Sequence, residues 1–288
     1  EASGADSANF LNLMKNGDGS NNIISVISGL GWGLGYFGMP HILVRFMAVR
    51  DEKEMTKSKA TAISWVALSL GFAVFIGTLG RAYLPELVNG NNEKVFIEMI
   101  KKVFTVEMRA PFIAGLFLCG ILAAIMSTAD SQLLVSASSV AEDIFKGLLK
   151  KDADDKTVMN VSRVTVLVVA VLAYIIAWNP NNTVMGLVSN AWAGLGAAFG
   201  PLVVMSLYWK RTNFPGAVAG IVTGALAVII WDYIPLVGGQ TLGKATGLYS
   251  LVVGFGLGLI AIIAVSLATK APSEEMLQEF EDVKANRL

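Results

Sequence analysis

Seven apolar stretches of about 20 residues dominate this chain, and each is long enough to cross a bilayer core about 30 Å thick. They lie near 22–47, 60–83, 111–137, 161–178, 182–208, 213–234 and 247–268. Of the 288 residues, 54% are hydrophobic and only 15% are charged, which is more apolar surface than a soluble domain of this size carries. The sequence therefore predicts an all-α integral membrane protein.

Basic residues are concentrated in the connections after the first, third and fifth stretches and in the carboxy-terminal tail. These clusters occupy 45–59, 146–163, 210–211 and 270–287. All four fall on one side of the membrane if the stretches alternate in direction, and basic connections usually face the cytoplasm. We therefore expect a multi-pass protein of the cell inner (plasma) membrane with a cytoplasmic carboxy terminus. The long connection at 84–110 also carries basic residues on the opposite side, but long loops count less in this rule.

The first stretch contains residues that oppose a continuous helix. Between Gly29 and His41 lie four further glycines and Pro40, together with Trp32 and Tyr36. Glycine has little helix preference, and proline removes a backbone donor. Freed backbone groups survive at membrane depth only where protein buries them or where they line a cavity, so an interrupted helix is a candidate binding site. Alternatively, the glycines serve only for close helix packing, as the spacing of Gly31 and Gly35 would allow.

The third stretch contains a polar run. Ala124, Ser127, Thr128 and Ser131 have the i, i+3, i+4, i+7 spacing that places them on one helix face. Hydroxyl and carbonyl oxygens without paired carboxylates suit a weakly held monovalent cation, with sodium the natural candidate. Alternatively, the hydroxyls bond to carbonyls one turn earlier, Thr128 to that of Ala124. Asp130, the acid placed deepest within a stretch, lies a few residues from its cytoplasmic end.

Several other classes of protein are disfavoured. Cys119 and His41 are the only residues of their types, so a disulfide or a cysteine or histidine metal cluster is not expected. Paired acids, a nucleophile with its base and a phosphate loop are not visible, which argues against an enzyme, and we expect no nucleic-acid partner. A channel would need a continuous polar lining rather than one central break. A sensor would need a soluble output domain, and the tail after Ala268 is too short to form one.

Two segments resemble the sodium/solute symporter family. They are GWGLGYFGMPHILVRFMA at 31–48 and GILAAIMSTADSQLL at 120–134, and the likeness continues through VAEDI at 140–144 to the last stretches. This resemblance implies the second five-helix repeat of an inverted-repeat (LeuT-type) transporter plus two extra carboxy-terminal helices. On this interpretation 1–21 is an extracellular loop, 22–208 the repeat, 209–268 the two additional helices and 269–288 a cytoplasmic tail. The first repeat of the same protein would lie outside this sequence.

The same resemblance implies sodium-coupled uptake of a small solute, with L-proline expected and pantothenate, a sugar or another amino acid as alternatives. The partners expected are this solute, membrane lipid and the missing amino-terminal repeat. In proline carriers of the family, the residues that match Trp32, Tyr36 and Pro40 are implicated in solute binding. The sodium site matches Ala124, Ser127 and Thr128. Met39 is a departure, because glutamine is expected there: it would put proline in doubt if it faced the solute, but would be a packing replacement if it faced a neighbouring helix.

Overall fold

The computed structural model describes residues 12–16, 19–84, 92–179 and 183–285. Eleven helices are found in these ranges: α1 Ile23–Gly35, α2 Pro40–Met47, α3 Glu52–Tyr83, α4 Val95–Ile100, α5 Pro111–Ser138, α6 Asp155–Ala177, α7 Val184–Tyr208, α8 Phe214–Tyr233, α9 Leu242–Thr246, α10 Ser250–Ala268 and α11 Glu274–Lys284. Short 3-10 segments occupy Tyr36–Gly38 and Asn92–Lys94, and π-helical segments occupy Lys101–Glu107 and Ser139–Leu149. Strands β1, Pro235–Val237, and β2, Gln240–Thr241, form an antiparallel pair.

The predicted membrane stretches correspond to helices. Within the described ranges, six helices are long and apolar enough to span a bilayer, and the bent pair α1 and α2 makes a seventh if it counts as one span. The longest of these spans is α5 with its π-helical continuation, Pro111–Leu149. The expectation of an almost entirely helical, multi-pass membrane protein is confirmed, with the two-stranded hairpin as an unforeseen addition. The sequence NPNN at 179–182 predicts a tight turn between the fourth and fifth stretches, but 180–182 lie outside the described residues.

Helix α3 begins earlier than the apolar stretch near residue 60 predicts. A carboxylate oxygen of Asp51 accepts the backbone N–H of Glu54 at 2.8 Å and so caps the helix. Lysine, alanine and methionine, which all favour helix, follow this cap, and no glycine or proline occurs before Gly71. The charged residues after Asp51 therefore form the first turns of α3 rather than a loop.

The described residues form two compact units, one made of 46–184 and the other of 12–45 with 185–285. The first contains α3 to α6, with a small buried cluster of Ala141, Ala153 and Val158. The second contains α1, α7 to α11 and the strands, with a larger buried cluster of Ala193, Ala197, Val228, Leu251 and Phe255. The predicted repeat at 22–208 thus draws helices from both units.

Helices α8 and α10 pack closely along facing glycines. A side chain at Gly254 would place its Cβ 2.8 Å from the Cβ of Ala197 and 2.9 Å from the side chain of Val228. At Gly258 it would lie 3.0 Å from the ring of Pro201, and at Gly220 it would strike Ile262. These glycines, spaced by four along α8 and α10, are therefore contact points between helices.

The connection from α8 to α10 begins with the β1–β2 hairpin. Its turn is Gly238-Gly239, with φ values of 55° and 76° that side chains rarely adopt. Helix α9 follows, and the Thr241 hydroxyl caps it by accepting the N–H of Lys244 at 3.4 Å. Gly247, with φ of 69°, ends α9 and leads the chain into α10.

The connection from α7 to α8 holds the carboxy-terminal tail. Asn213 is buried; its amide nitrogen donates to the hydroxyl of Thr269 and to the carbonyl of Lys270, both at 2.7 Å. Its amide oxygen accepts the N–H of Gly216 at 3.0 Å, which caps α8. Helix α11 lies within this tail, and its Glu281 pairs with Lys210 at 3.0 Å.

Candidate functional site

The first membrane stretch is interrupted. Helix α1 ends at Gly35, Met39 is extended with φ of −89° and ψ of 111°, and Pro40 begins α2 at an angle of 56° to the first part. A proline pushes the preceding residue out of the helical region and suits the first position of a new helix. The carbonyl of Met39 accepts the N–H groups of Ile42 and Leu43, both at 3.0 Å. The predicted break is confirmed.

Glycines on either side of the break also allow close packing. A Cβ at Gly38 would meet the carbonyl of Leu195 and lie 2.7 Å from the Cα of Gly196 and 3.0 Å from the backbone nitrogen of Gly200. A Cβ at Gly35 would strike the indole of Trp192. The close-packing interpretation is therefore correct for part of the glycine run, and it operates together with the break rather than instead of it.

Trp32 and Tyr36 lie in a cluster of four aromatic rings. Trp32 stacks on Tyr249 with a centroid distance of 5.4 Å and on Trp192 at 6.0 Å. Tyr36 meets Trp192 edge to face at 4.9 Å. The indole N–H of Trp192 donates to the backbone carbonyl of Trp32 at 3.0 Å, which orients the Trp192 ring. We define these four residues, Trp32, Tyr36, Trp192 and Tyr249, as the aromatic cluster.

Two members of the aromatic cluster were not foreseen as site residues. Trp192 falls in a segment of α7, 189–196, whose polar and glycine residues suit the lining of a pathway and helix packing equally well. Nothing in the spacing of Tyr249 connects it to the broken helix, because its contact with Trp32 arises from packing between α1 and the start of α10. A membrane-interface tyrosine just before a span was the only available signal.

The exposure of the residues at the break differs sharply. Tyr36 is 55% exposed and Pro40 is also exposed, whereas Met39 is only 3% exposed. The side chain of Met39 is therefore buried, while Tyr36 and Pro40 on either side of the break are exposed. This burial favours the interpretation of Met39 as a packing replacement for the expected glutamine.

A cavity of about 370 Å³ lies beside Trp32 in the second unit. Its polar wall includes Ser28, Ser189, Asn190 and Asp232, and Tyr249 lines it as well. Tyr249 is fixed there, because its hydroxyl donates to the carbonyl of Ser189 at 2.7 Å and its N–H to the hydroxyl of Ser28 at 3.0 Å. The volume is within the range of roughly 300–1,000 Å³ typical of small-molecule pockets.

The predicted hydroxyl face is present on α5 in the first unit. Ala124, Ser127 and Thr128 lie on consecutive turns of a continuous helix and are exposed. The Thr128 hydroxyl donates to the carbonyl of Ala124 at 3.3 Å, the bond that the alternative interpretation expects. The Ser131 hydroxyl donates in the same way to the carbonyl of Ser127 at 3.0 Å. Such bonds satisfy hydroxyls within membrane helices.

Comparison with known proteins identifies the class to which this multi-pass membrane protein belongs. The sequence profile of the Sodium:solute symporter family matches residues 3–224, and the chain belongs to this family. It is 45% identical over 271 residues to the Sodium/proline symporter of Escherichia coli (strain K12), covering 92% of this chain and 51% of that protein.

Other relatives carry similar names. The Osmoregulated proline transporter OpuE of Bacillus subtilis (strain 168) is 43% identical over 259 residues, covering 90% of this chain and 51% of that protein. A Sodium/proline symporter of Staphylococcus aureus is 45% identical over 269 residues, covering 91% of this chain and 50% of that protein. The chain spans about half the length of the curated relatives that it matches. No solved structure matches the chain.

Proposed function

We propose that this chain acts within a secondary active transporter that couples inward sodium movement to uptake of L-proline. The observation that carries the proposal is the interruption at Tyr36–Met39 of an otherwise membrane-spanning helix. Discontinuous helices at membrane depth are a recurring way to build solute and ion sites in transporters. Relatives over about 90% of the chain, named as proline transporters and symporters, favour proline over other solutes.

In this proposal Trp32, Tyr36 and Pro40 contact the solute. The Tyr36 ring is exposed at the break, so it offers an apolar face to a pyrrolidine ring and a hydroxyl for hydrogen bonding. Trp32 is held by the aromatic cluster and presents a wall of fixed orientation. At the break, the carboxy end of α1 carries a partial negative charge and the amino end of α2 a partial positive charge. This pair of opposite charges favours binding of a zwitterion.

The sodium ligands in this proposal are the Ala124 carbonyl and the hydroxyls of Ser127 and Thr128. An amino-terminal repeat outside this sequence supplies the remaining ligands, and 22–208 forms the second, inverted repeat with two helices appended. Sodium drives uptake only if it binds one transporter state more tightly than the other, because a ligand bound equally by both shifts nothing. If the transported solute is not proline, the proposed role of these three residues in sodium binding stays the same.

Uptake by the full-length protein in proteoliposomes tests the proposal. We expect saturable uptake of labelled L-proline that requires an inward sodium gradient and that unlabelled proline suppresses more strongly than other amino acids. Uptake that ignores sodium would contradict the coupling, and sodium-driven uptake of pantothenate or a sugar in place of proline would contradict the solute.

A tryptophan variant tests the assignment of the solute site. Trp32→Ala is expected to raise the KM for proline about tenfold, equivalent to about 1.4 kcal/mol, with the sodium dependence little changed. Trp65→Ala is the matched control, since Trp65 lies on α3 in the other unit and is 71% exposed. Equal loss of solute and sodium affinity in the Trp32 variant would remove Trp32 from the solute site.

A further inference from the structure

The cavity beside Trp32 contains one carboxylate, that of Asp232, which forms no ion pair within the part of the chain that the structure describes. Asp232 lies in the last turns of α8, half-buried, and its Oδ2 accepts the hydroxyl of Ser250 at 2.5 Å. Among the described residues, no lysine or arginine forms an ion pair with Asp232, and none lines the cavity. A carboxylate has about four acceptor positions, so one neutral hydroxyl leaves most of them for another donor.

Gly243 packs close to this carboxylate. A Cβ at Gly243 would lie 2.8 Å from Oδ1 of Asp232, so only glycine fits at that position without displacing the carboxylate. Lys244, the nearest basic residue along the chain, is exposed. A partly desolvated carboxylate costs free energy unless a donor or a cation meets it, and Asp232 lines the cavity.

Other residues in the cavity lining also suit an organic cation. The side chains of Ser28, Ser189 and Asn190 supply oxygen acceptors, and Trp32 and Tyr249, which stack on each other, supply apolar surface. Hydrogen bonds already fix the surrounding groups, including the bond from the Trp231 indole N–H to the carbonyl of Leu248 at 3.0 Å. A ligand that enters would therefore meet an arrangement that is largely set in advance.

We propose that this cavity is a subsite for a small organic ammonium group, with Asp232 as its counter-ion. The ligand class is a compact secondary ammonium such as the ring nitrogen of proline, held by the Asp232 carboxylate beside Trp32 and Tyr249. Because Trp32 lines the cavity and also belongs to the proposed solute site, the subsite adjoins that site at Trp32. This inference rests on the proposed function for the identity of the solute, but not for the chemistry of the subsite.

The test is equilibrium binding to the purified full-length protein by titration calorimetry without sodium. The probes are prolinamide, which keeps the ammonium but lacks the carboxylate, and tetrahydrofuran-2-carboxylate, which keeps the carboxylate but lacks the ammonium. Asp232→Asn is expected to weaken prolinamide binding about tenfold or more, as loss of a charge-assisted hydrogen bond predicts, and to leave tetrahydrofuran-2-carboxylate binding unchanged. Asp152→Asn, at an exposed acid in the other unit, should change neither.

Absence of prolinamide binding to the wild-type protein, equal binding to Asp232→Asn, or parallel loss of both probes would each overturn the subsite. Prolinamide binding without sodium-driven proline uptake would keep the subsite and overturn the proposed function, so the two failures are distinguishable.

Discussion

Gly38 holds the interrupted helix against α7 because it has no side chain. The backbone at Leu195, Gly196 and Gly200 occupies the space that a Cβ would need. Backbone atoms cannot rotate aside as the end of a flexible side chain can. The position of the break therefore depends on one missing methyl group as well as on Pro40.

Gly38→Ala in the full-length protein is expected to destabilise it by about 1–3 kcal/mol, because overpacking forces the backbone to shift. The measurement is the thermal unfolding midpoint in detergent, together with proline uptake. Gly33→Ala is the matched control: nothing lies within 4 Å of the added Cβ, and alanine favours helix over glycine. Equal midpoints for the two variants would refute a packing role for Gly38.

The proposed sodium ligands Ser127 and Thr128 on α5 are also tested by substitution. Replacing both Ser127 and Thr128 by alanine is expected to raise the sodium concentration for half-maximal uptake about tenfold or more, since two oxygen ligands are lost. The control replaces Ser136 and Ser138, two other hydroxyls of α5, by alanine. If sodium dependence in the Ser127 and Thr128 variant matches wild type, these residues are not ligands.

Helix α11 is tethered to the α7–α8 connection through a pair of opposite charges. The hydrogen bond from Lys210 to Glu281, and then the positive charge of Lys210, lower the pKa of Glu281 below its usual 4.5. Since the pKa is lower in the folded state, the pair contributes stability above about pH 4.5 and loses it as the pH falls through the lowered value. Both side chains are largely exposed, so the effect is local.

Acidification is therefore expected to loosen the tail without unfolding the protein. Amide hydrogen exchange in 274–284, corrected for intrinsic rates, should accelerate between about pH 7 and about pH 3.5. Glu281→Gln should show the faster exchange already at neutral pH. Glu275→Gln is the control, because Glu275 pairs with no described basic residue and should retain the wild-type response. A pH-independent wild-type tail would contradict the tether.

The elements show where sequence reasoning succeeds and where it stops. Apolar length alone locates α7, α8 and α10 to within a few residues, because a bilayer demands that length. It fails at the start of α3, where a cap and helix-forming residues extend the helix into charged sequence. It also missed the β1–β2 hairpin, although Gly238-Gly239 carried the signal.

At the scale of the whole molecule, the arrangement of basic clusters predicts which face is cytoplasmic. In the full-length protein freed of native cysteines, including Cys119, we expect Gln240→Cys to react with a membrane-impermeant thiol reagent in intact cells. Glu279→Cys should react only after permeabilisation, since the tail follows a basic face. Labelling in the reverse order would invert the topology.

The candidate site was only partly accessible from sequence for a physical reason. Trp32, Tyr36 and Pro40 share one short segment, so local pattern was enough to bring them together. The stacking of Trp32 on Trp192 and Tyr249, and the bond from Ser250 to Asp232, join residues far apart in the chain. Such pairs are set by how helices pack, which spacing along the chain does not encode.

The hydroxyl of Thr128 donates its hydrogen to the carbonyl of Ala124. If these two oxygens bind sodium as proposed, the hydrogen bond between them would re-form when the ion departs, and neither oxygen would be left without a partner in hydrocarbon. The empty site would then cost little free energy, so a carrier with such a helical turn could return without its ion and without water in the site.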